Sequence, residues 1–166
     1  MRFLSWILIL IVIRAEGQMP RNASGLYEYS YVVTVAPESK PFLKERARSF
    51  FNQPFLVHWD SVATGAHNGN PVITGRGYMN VRAKYHSFAV PRLVAVKMQL
   101  SIEPADSGYR FIINHFAVND KYHFSLEEKP EDVKSMLYDQ LLQKTRKRVS
   151  FVIGWLKRYM EGQTQD

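Results

Sequence analysis

The sequence predicts an α+β domain, a single antiparallel sheet of about five strands with two helices on one face, in the order β-α-β-β-β-β-α. Several segments alternate apolar and polar residues with the period of two that a half-buried strand requires. Two other segments, one of them close to the C-terminus, repeat apolar residues at helical spacing. The chain contains no internal repeat and no linker, so both helices are expected to pack on one layer of strands.

The first strand and the first helix follow from residues 26–52. The segment LYEYSYVVTVA (26–36) places its tyrosines and most of its valines on one side, which predicts a strand with one buried face. Ser39 can cap a helix and Pro41 suits its first turn. Apolar residues then recur at helical spacing over 40–52, and Pro54 ends the predicted helix.

Four further strands and a long helix are predicted after it. The strands cover 55–62, 72–83, 91–103 and 109–118, with a turn at 63–70, a hairpin turn at 104–108 and a polar connection at 119–130. A helical pattern without proline covers 131–161 and, at about 1.5 Å per residue, would reach on the order of 45 Å.

The glycines of GNPVITGRGYMNV (69–81) could suggest a phosphate-binding loop. Such a loop follows a strand, opens a helix and carries lysine before serine or threonine, and none of these features follows Gly77. The period of two instead places Gly75 and Gly77 on the apolar face of a strand. Glycine inside a strand often marks a close backbone approach, so we expect a helix to pack against both residues.

The N-terminal residues predict export. Arg2 precedes an apolar run over 3–13, which is shorter than the roughly 20 residues that span a bilayer, and small residues follow at 15 and 17. We therefore expect a signal peptide at 1–17, with an uncleaved anchor as the alternative. A flexible lead-in at 18–25, one domain at 26–161 and a tail at 162–166 complete the predicted organisation.

The chain resembles a family of exported bacterial domains of unknown function, common in Gram-negative species, that have a TATA-binding-protein-like fold. The similarity lies in KERARSFF (44–51), ITGRGYMNV (73–81), DSGYRFIINHF (106–116) and the long C-terminal helix, and it covers roughly residues 25–161. The resemblance implies this fold and export to the periplasm or the exterior. It implies no catalytic residues, because the family has no established activity.

Composition excludes several classes of protein. The chain has no cysteine, which excludes disulfide scaffolds, zinc-cysteine sites and a lipoprotein anchor. Its 22 basic and 15 acidic residues give a net charge of +7, which weakly favours an acidic partner. The five histidines are not spaced as metal ligands, so the sequence predicts neither a metal site nor a cofactor.

Two groups of residues could form a specific functional site, a hydrolytic triad in the first case and an anion-binding surface in the second. His58, Asp60 and Ser61 are the residue types of a hydrolytic triad, but strand alternation would point Ser61 away from the other two, and no nucleophile elbow is present. The sequence therefore disfavours catalysis; if the protein were an enzyme, His67 and Asp60 would be tested first. A basic cluster on the last helix could bind an anionic membrane or nucleic acid, but we interpret it as a solvated helix face, because lysine and arginine usually remain exposed. The cluster consists of Lys144, Arg146, Lys147, Arg148, Lys157 and Arg158.

The remaining candidate is the sheet face opposite the helices. Arginine and tyrosine are enriched at protein–protein interfaces, and this face contains both. Its candidate binding residues are Arg76, Tyr78, Arg82, Lys97, Arg110 and Asn114. We expect a non-catalytic binding or structural module of the bacterial envelope whose partner is an acidic protein, a glycan or a small ligand. Nucleic acid is not expected, and an enzyme of unrecognised type or a small-lipid-binding domain is the alternative.

Overall fold

A computed structural model of the chain describes residues 18–35, 40–53, 56–85, 89–120 and 123–163. The predicted signal peptide, the predicted cap at Ser39 and the predicted stop at Pro54 lie outside these ranges. The elements are β1 (Tyr29–Thr34), α1 (Lys40–Phe50), β2 (His58–His67), β3 (Asn70–Ala83), β4 (Arg92–Ala105), β5 (Gly108–Asn119), β6 (His123–Ser125) and α2 (Ser135–Met160). The predicted α+β class is confirmed.

All strands belong to one antiparallel sheet. The order across it is β1-β5-β4-β3-β2, and β6 pairs with the last residues of β5 on the side that β1 also occupies. The sheet therefore has one strand more than expected. β6 lies inside the segment predicted as a polar connection, and its three residues are too few for an alternating pattern to show.

The core lies between one face of the sheet and the two helices. Ile73, Val96, Leu100 and Phe111 are fully buried on that face and share the core with residues of both helices. The helical contribution comes from Leu43, Ala47, Phe50, Leu141, Val149, Val152 and Leu156. Buried positions recur every second residue along β3 and β4, which confirms the predicted alternation there. Along β5 the alternation shifts by one residue between Ile113 and Phe116, at an irregularity that includes His115 with a φ of 57°.

The boundaries of β2 and α2 differ from the predicted ones. β2 runs to His67, and the predicted turn at 63–70 contracts to Asn68 and Gly69, whose positive φ values of 50° and 78° close a two-residue hairpin. The residues of β2 from Asp60 onward are exposed, so no buried face generates an alternating pattern. α2 begins at Ser135, four residues later than expected, after a turn at 131–133.

The glycines of β3 have two different neighbours. A Cβ on Gly75 would lie 2.5 Å from Cδ1 of Phe51, directly after α1, so the expected contact with the helix layer is present. A Cβ on Gly77 would instead lie 2.9 Å from the carbonyl carbon of His58 and from Cα of Trp59. The expectation of a helix against Gly77 is therefore wrong, because the backbone of β2 at an irregularity between Trp59 and Ser61 occupies that space.

The ends of the described chain are attached to the domain. Met19 is buried in the core, and Arg21 pairs with Tyr27, so residues 18–28 form a turn that is anchored to the domain. Gly162, with a φ of 78°, ends α2 in the left-handed conformation that suits glycine. Within the described part of the chain, neither helix combines the length and the apolar character needed to cross a bilayer.

Candidate functional site

The helices leave one face of the sheet uncovered, and we call it the open face. β2, β3, β4 and β5 contribute polar side chains to it in adjacent rows, because residues paired across strands point to the same side. Its charged and polar members include His58, Ser61, Arg76, Tyr78, Arg82, Lys97, Gln99, Glu103, Arg110 and Asn114. All six of the predicted binding residues lie on this face, Arg76, Arg82, Lys97 and Arg110 exposed, Tyr78 and Asn114 half-buried.

Three of these residues form what we call the central cluster, consisting of Arg76, Tyr78 and Lys97. Tyr78 lies opposite Lys97 in the β3–β4 register, and Arg76 is two residues away on the same face. Arg76 donates from Nε to Oε1 of Gln99 at 3.0 Å, which fixes its side chain across the strands. The ring of His58 lies 5.0 Å from that of Tyr78 and extends the cluster onto β2.

The structure does not bring the three predicted arginines together around Tyr78. Arg82 lies four residues beyond Tyr78, about 13 Å along the strand, where its partner in the register is Leu93. Arg110 lies opposite Glu103, which is six residues, about 20 Å, from Lys97. The predicted site is thus a central cluster with one separate arginine towards each end of the sheet.

Asn114 has a local structural role. Its Nδ2 donates to Oε2 of Glu28 at 3.4 Å, and the same carboxylate oxygen accepts from Nδ2 of Asn22 at 3.3 Å. These bonds connect β5 to the residues that precede β1. We therefore place Asn114 in the support of the sheet rather than among the contact residues.

A polar network at one end of the sheet was not predicted. Glu103 approaches Nδ1 of His67 at 3.7 Å and accepts from Nδ2 of Asn70 at 3.2 Å, while Lys40 donates to Oδ1 of Asn70 at 2.7 Å. A cavity of about 260 Å³ borders this network and Arg110. Glu103 also lies opposite Arg110 in the β4–β5 register, so an acid adjoins the arginine at this end.

The residue types of a hydrolytic triad do not assemble into one. Nε2 of His58 lies 3.9 Å from Oδ1 of Asp60, with both side chains largely exposed. The irregularity at Asp60 turns Ser61 onto the same face as His58, contrary to the predicted alternation, but the Ser61 hydroxyl makes no hydrogen bond in the described part of the chain. His67 lies at the far end of β2, seven residues and about 23 Å from Asp60.

The basic cluster of α2 divides between different sides of the helix. Lys144, Lys147 and Arg148 line a groove beside the end of β3, whereas the ammonium of Lys157 lies 4.9 Å from the ring of Tyr31 on β1. Arg158 is exposed near the C-terminal end of the helix. Lys144, Lys147 and Arg148 therefore share one surface, and Lys157 lies on another.

Titration and metal binding do not single out another centre in the described residues. Burial raises the pKa of Tyr29 and of Tyr138 from 10.0 to about 12, and both tyrosines belong to the core. No group of three or more histidine and carboxylate side chains there is placed to hold a metal ion.

Comparisons with known proteins identify the fold. The structure is similar to a TBP-like protein from Parabacteroides distasonis, with 13% identity and a TM-score of 0.58, over 86% of this chain and 97% of that one. It is also similar to a DUF4468 family protein from Bacteroides ovatus, with 9% identity and a TM-score of 0.61, over 91% and 95% of the two chains. No family model matches the sequence, and no curated protein matches it. The fold is TATA-binding-protein-like, in agreement with the resemblance to a bacterial domain of unknown function.

Proposed function

We propose that this protein is a non-catalytic binding module of the bacterial cell envelope that contacts an acidic partner through the central cluster of the open face. The observation that carries the proposal is the position of Arg76, Tyr78 and Lys97 side by side on a face that neither helix covers. A partner can approach this face without displacing any part of the described domain.

The charge of the central cluster supports an acidic partner. Arg76 bonds to a neutral amide, and among the described residues Lys97 makes no ion pair. A shallow depression of about 400 Å³ separates these two cations, and Asp60 is the acid in its lining. A carboxylate or phosphate presented by a partner would therefore meet two cations, neither of them in an ion pair with a described residue, beside one acid. Charge-assisted hydrogen bonds of this kind are about twice as strong as neutral ones.

The geometry of Tyr78 supports contact rather than catalysis. Its ring lies between the His58 ring and the Lys97 side chain, where it offers apolar area and a directed hydroxyl group. Tyrosine and arginine dominate the energy of many interfaces for this reason. The surface around the cluster is broad and open, which suits a protein or glycan chain better than an enclosed small molecule.

The envelope location is part of the proposal and rests on the N-terminal sequence. The apolar run at 3–13, the preceding Arg2 and the small residues at 15 and 17 have the order of a secretory signal. Export would bring the mature domain to the periplasm or the exterior, where acidic proteins and glycans are available.

Partner recovery from the native envelope tests this function. The tagged protein is cross-linked in place and its recovered partner is quantified for the parent and for a variant with Arg76, Tyr78 and Lys97 replaced by alanine. We expect the variant to lose the partner while its melting temperature stays close to that of the parent, because the three side chains are outside the core. Arg110→Ala is the matched control, since this exposed arginine faces Glu103 on the same sheet face. Equal recovery with the triple variant would refute the proposal.

A further inference from the structure

A second surface lies where β3 ends beside the middle of α2, and we call it the α2 groove. It has a volume of about 510 Å³. The sheet contributes Asn80, Val81, Arg82 and Leu93, and the helix contributes Lys144, Lys147, Arg148 and Phe151. The open-face candidate Arg82 therefore also lines this groove, four residues and about 13 Å along β3 from Tyr78.

The helical side of the groove is a regular stripe. Lys144, Lys147, Arg148 and Phe151 are spaced by three, one and three residues, so they lie on one side of α2 over two turns. The neighbouring stripe, which contains Leu141, Val149 and Val152, is buried in the core. The core therefore fixes the rotation of α2, and this rotation aims the cationic stripe at the end of β3.

The cations of the α2 groove lack internal counterions. No acidic side chain lines the groove, and none of its four cations forms an ion pair with another described residue. Nε of Arg148 is buried and has no hydrogen-bond acceptor in the described part of the chain. Four like charges close together repel one another, so an external anion would stabilise this arrangement.

Two large apolar side chains flank the same cations. Leu93 is 61% exposed and Phe151 is 56% exposed, although large apolar side chains such as these are usually buried. Leu93 lies opposite Arg82 in the register, and Phe151 follows Arg148 by three residues. Two protruding apolar side chains therefore line the same groove as the four cations.

We infer that the α2 groove docks the protein on an anionic membrane surface. Cations interact with anionic lipid headgroups while adjacent apolar side chains enter the boundary of the acyl chains, and this combination distinguishes peripheral membrane proteins from proteins that bind soluble anions. A soluble acidic peptide would pair with the cations but would leave the side chains of Leu93 and Phe151 exposed to water. The proposal concerns a different surface from the central cluster and does not depend on it.

Vesicle binding tests this inference. The protein is expressed from the whole gene, purified in the form that the cell produces, and sedimented with vesicles of phosphatidylcholine alone or with vesicles that also contain phosphatidylglycerol. We expect binding to require phosphatidylglycerol and to weaken at high salt. The double variant Lys144→Gln/Lys147→Gln should bind about 30-fold more weakly, at about fivefold for each cation near the surface.

Two further variants separate the contributions. Phe151→Ser should weaken binding about tenfold at high and low salt alike, which corresponds to roughly half of the burial of a phenylalanine side chain. Arg76→Gln/Lys97→Gln removes two cations from the central cluster and is the matched control for net charge. It should bind vesicles much as the parent does, so failure of this proposal can be told apart from failure of the open-face function.

Three results would overturn the inference. The first is equal binding of the parent to both kinds of vesicle. The second is an equal loss of binding in the Lys144→Gln/Lys147→Gln variant and in the Arg76→Gln/Lys97→Gln control. The third is a stoichiometric complex with soluble polyglutamate that is tighter than vesicle binding and lost in the Lys144→Gln/Lys147→Gln variant, which would assign the groove to an acidic protein.

Discussion

Gly77→Ala should destabilise the fold, because the added Cβ would meet main chain rather than a movable side chain. Gly77 lies opposite Trp59 in the β2–β3 register, directly beside the irregularity at Asp60. The new Cβ would be 2.9 Å from Cα of Trp59 and closer still to the carbonyl oxygen of His58. Only a shift of β2 away from β3 could relieve this overlap, and inserting an atom into a well-packed region typically costs about 1–3 kcal/mol.

The other glycines provide matched controls for the same change. A Cβ on Gly154, inside α2, meets nothing within 4 Å, so Gly154→Ala should stabilise the protein by about 0.5–1 kcal/mol through the helix preference of alanine. Gly75→Ala would press on the ring of Phe51, which makes an edge contact with Trp59 at 4.8 Å between ring centroids. A ring can tilt more easily than a strand can move, so we expect a loss smaller than that of Gly77→Ala.

Thermal and urea unfolding of the three variants measure these differences. For a domain of this size, about 1 kcal/mol corresponds to roughly 2–4 °C, so Gly77→Ala should lower the melting temperature by roughly 2–12 °C. The unfolding free energies should increase in the order Gly77→Ala, Gly75→Ala, parent, Gly154→Ala. A Gly77→Ala variant that melts with the parent would show that β2 does not pass this close to Gly77, and the explanation of the glycine would be wrong.

Two other predictions concern alkaline stability and export. Burial raises the pKa of Tyr29 from 10.0 to about 12, so the unfolded state loses this proton at lower pH than the folded state. The unfolding free energy should therefore be unaffected below pH 10 and should fall by roughly 2–3 kcal/mol between pH 10 and 12. Tyr29→Phe should have the same unfolding free energy as the parent at pH 7, since the Tyr29 hydroxyl has no hydrogen-bond partner among the described residues. In urea titrations at alkaline pH the variant should lose less unfolding free energy than the parent, and equal losses in both proteins would contradict this explanation. The exported protein should have the intact mass of a chain that begins at or near Gln18 and should occur in the soluble fraction, whereas retention of Met1 in the membrane fraction would contradict a cleaved signal.

The sequence predicted the strands that have one buried face and misplaced those that do not. Along β4, residues from Val94 to Ile102 alternate between buried and less buried positions, so hydrophobicity alone reveals the strand and its orientation. The residues of β2 after Trp59 are exposed on both faces, and β6 has three residues. A pattern that arises from burial cannot mark strands whose residues are not alternately buried.

The exposure of the candidate site could be predicted, but its distances could not. Strand parity places Arg76, Lys97 and Arg110 on one face, and all three are exposed there. Their spacing depends on register, which the two-residue turn at Asp106 and Ser107 sets by placing Arg110 opposite Glu103. The length of that turn was the available signal. The irregularity at Asp60 has no comparable signature in the sequence.

The distance between the α2 groove and the central cluster allows both proposed contacts to operate at once. Arg82, at the groove, is four residues from Tyr78 and six from Arg76, which is about 13 Å and 20 Å along β3. Both distances exceed the screening length of about 8 Å at physiological ionic strength, so charge added at one surface hardly changes the potential at the other. If the groove lies on a bilayer, the end of β3 points towards the lipid, and the open face extends away from it with the central cluster accessible. Substitutions at the two surfaces should therefore affect vesicle binding and partner recovery independently.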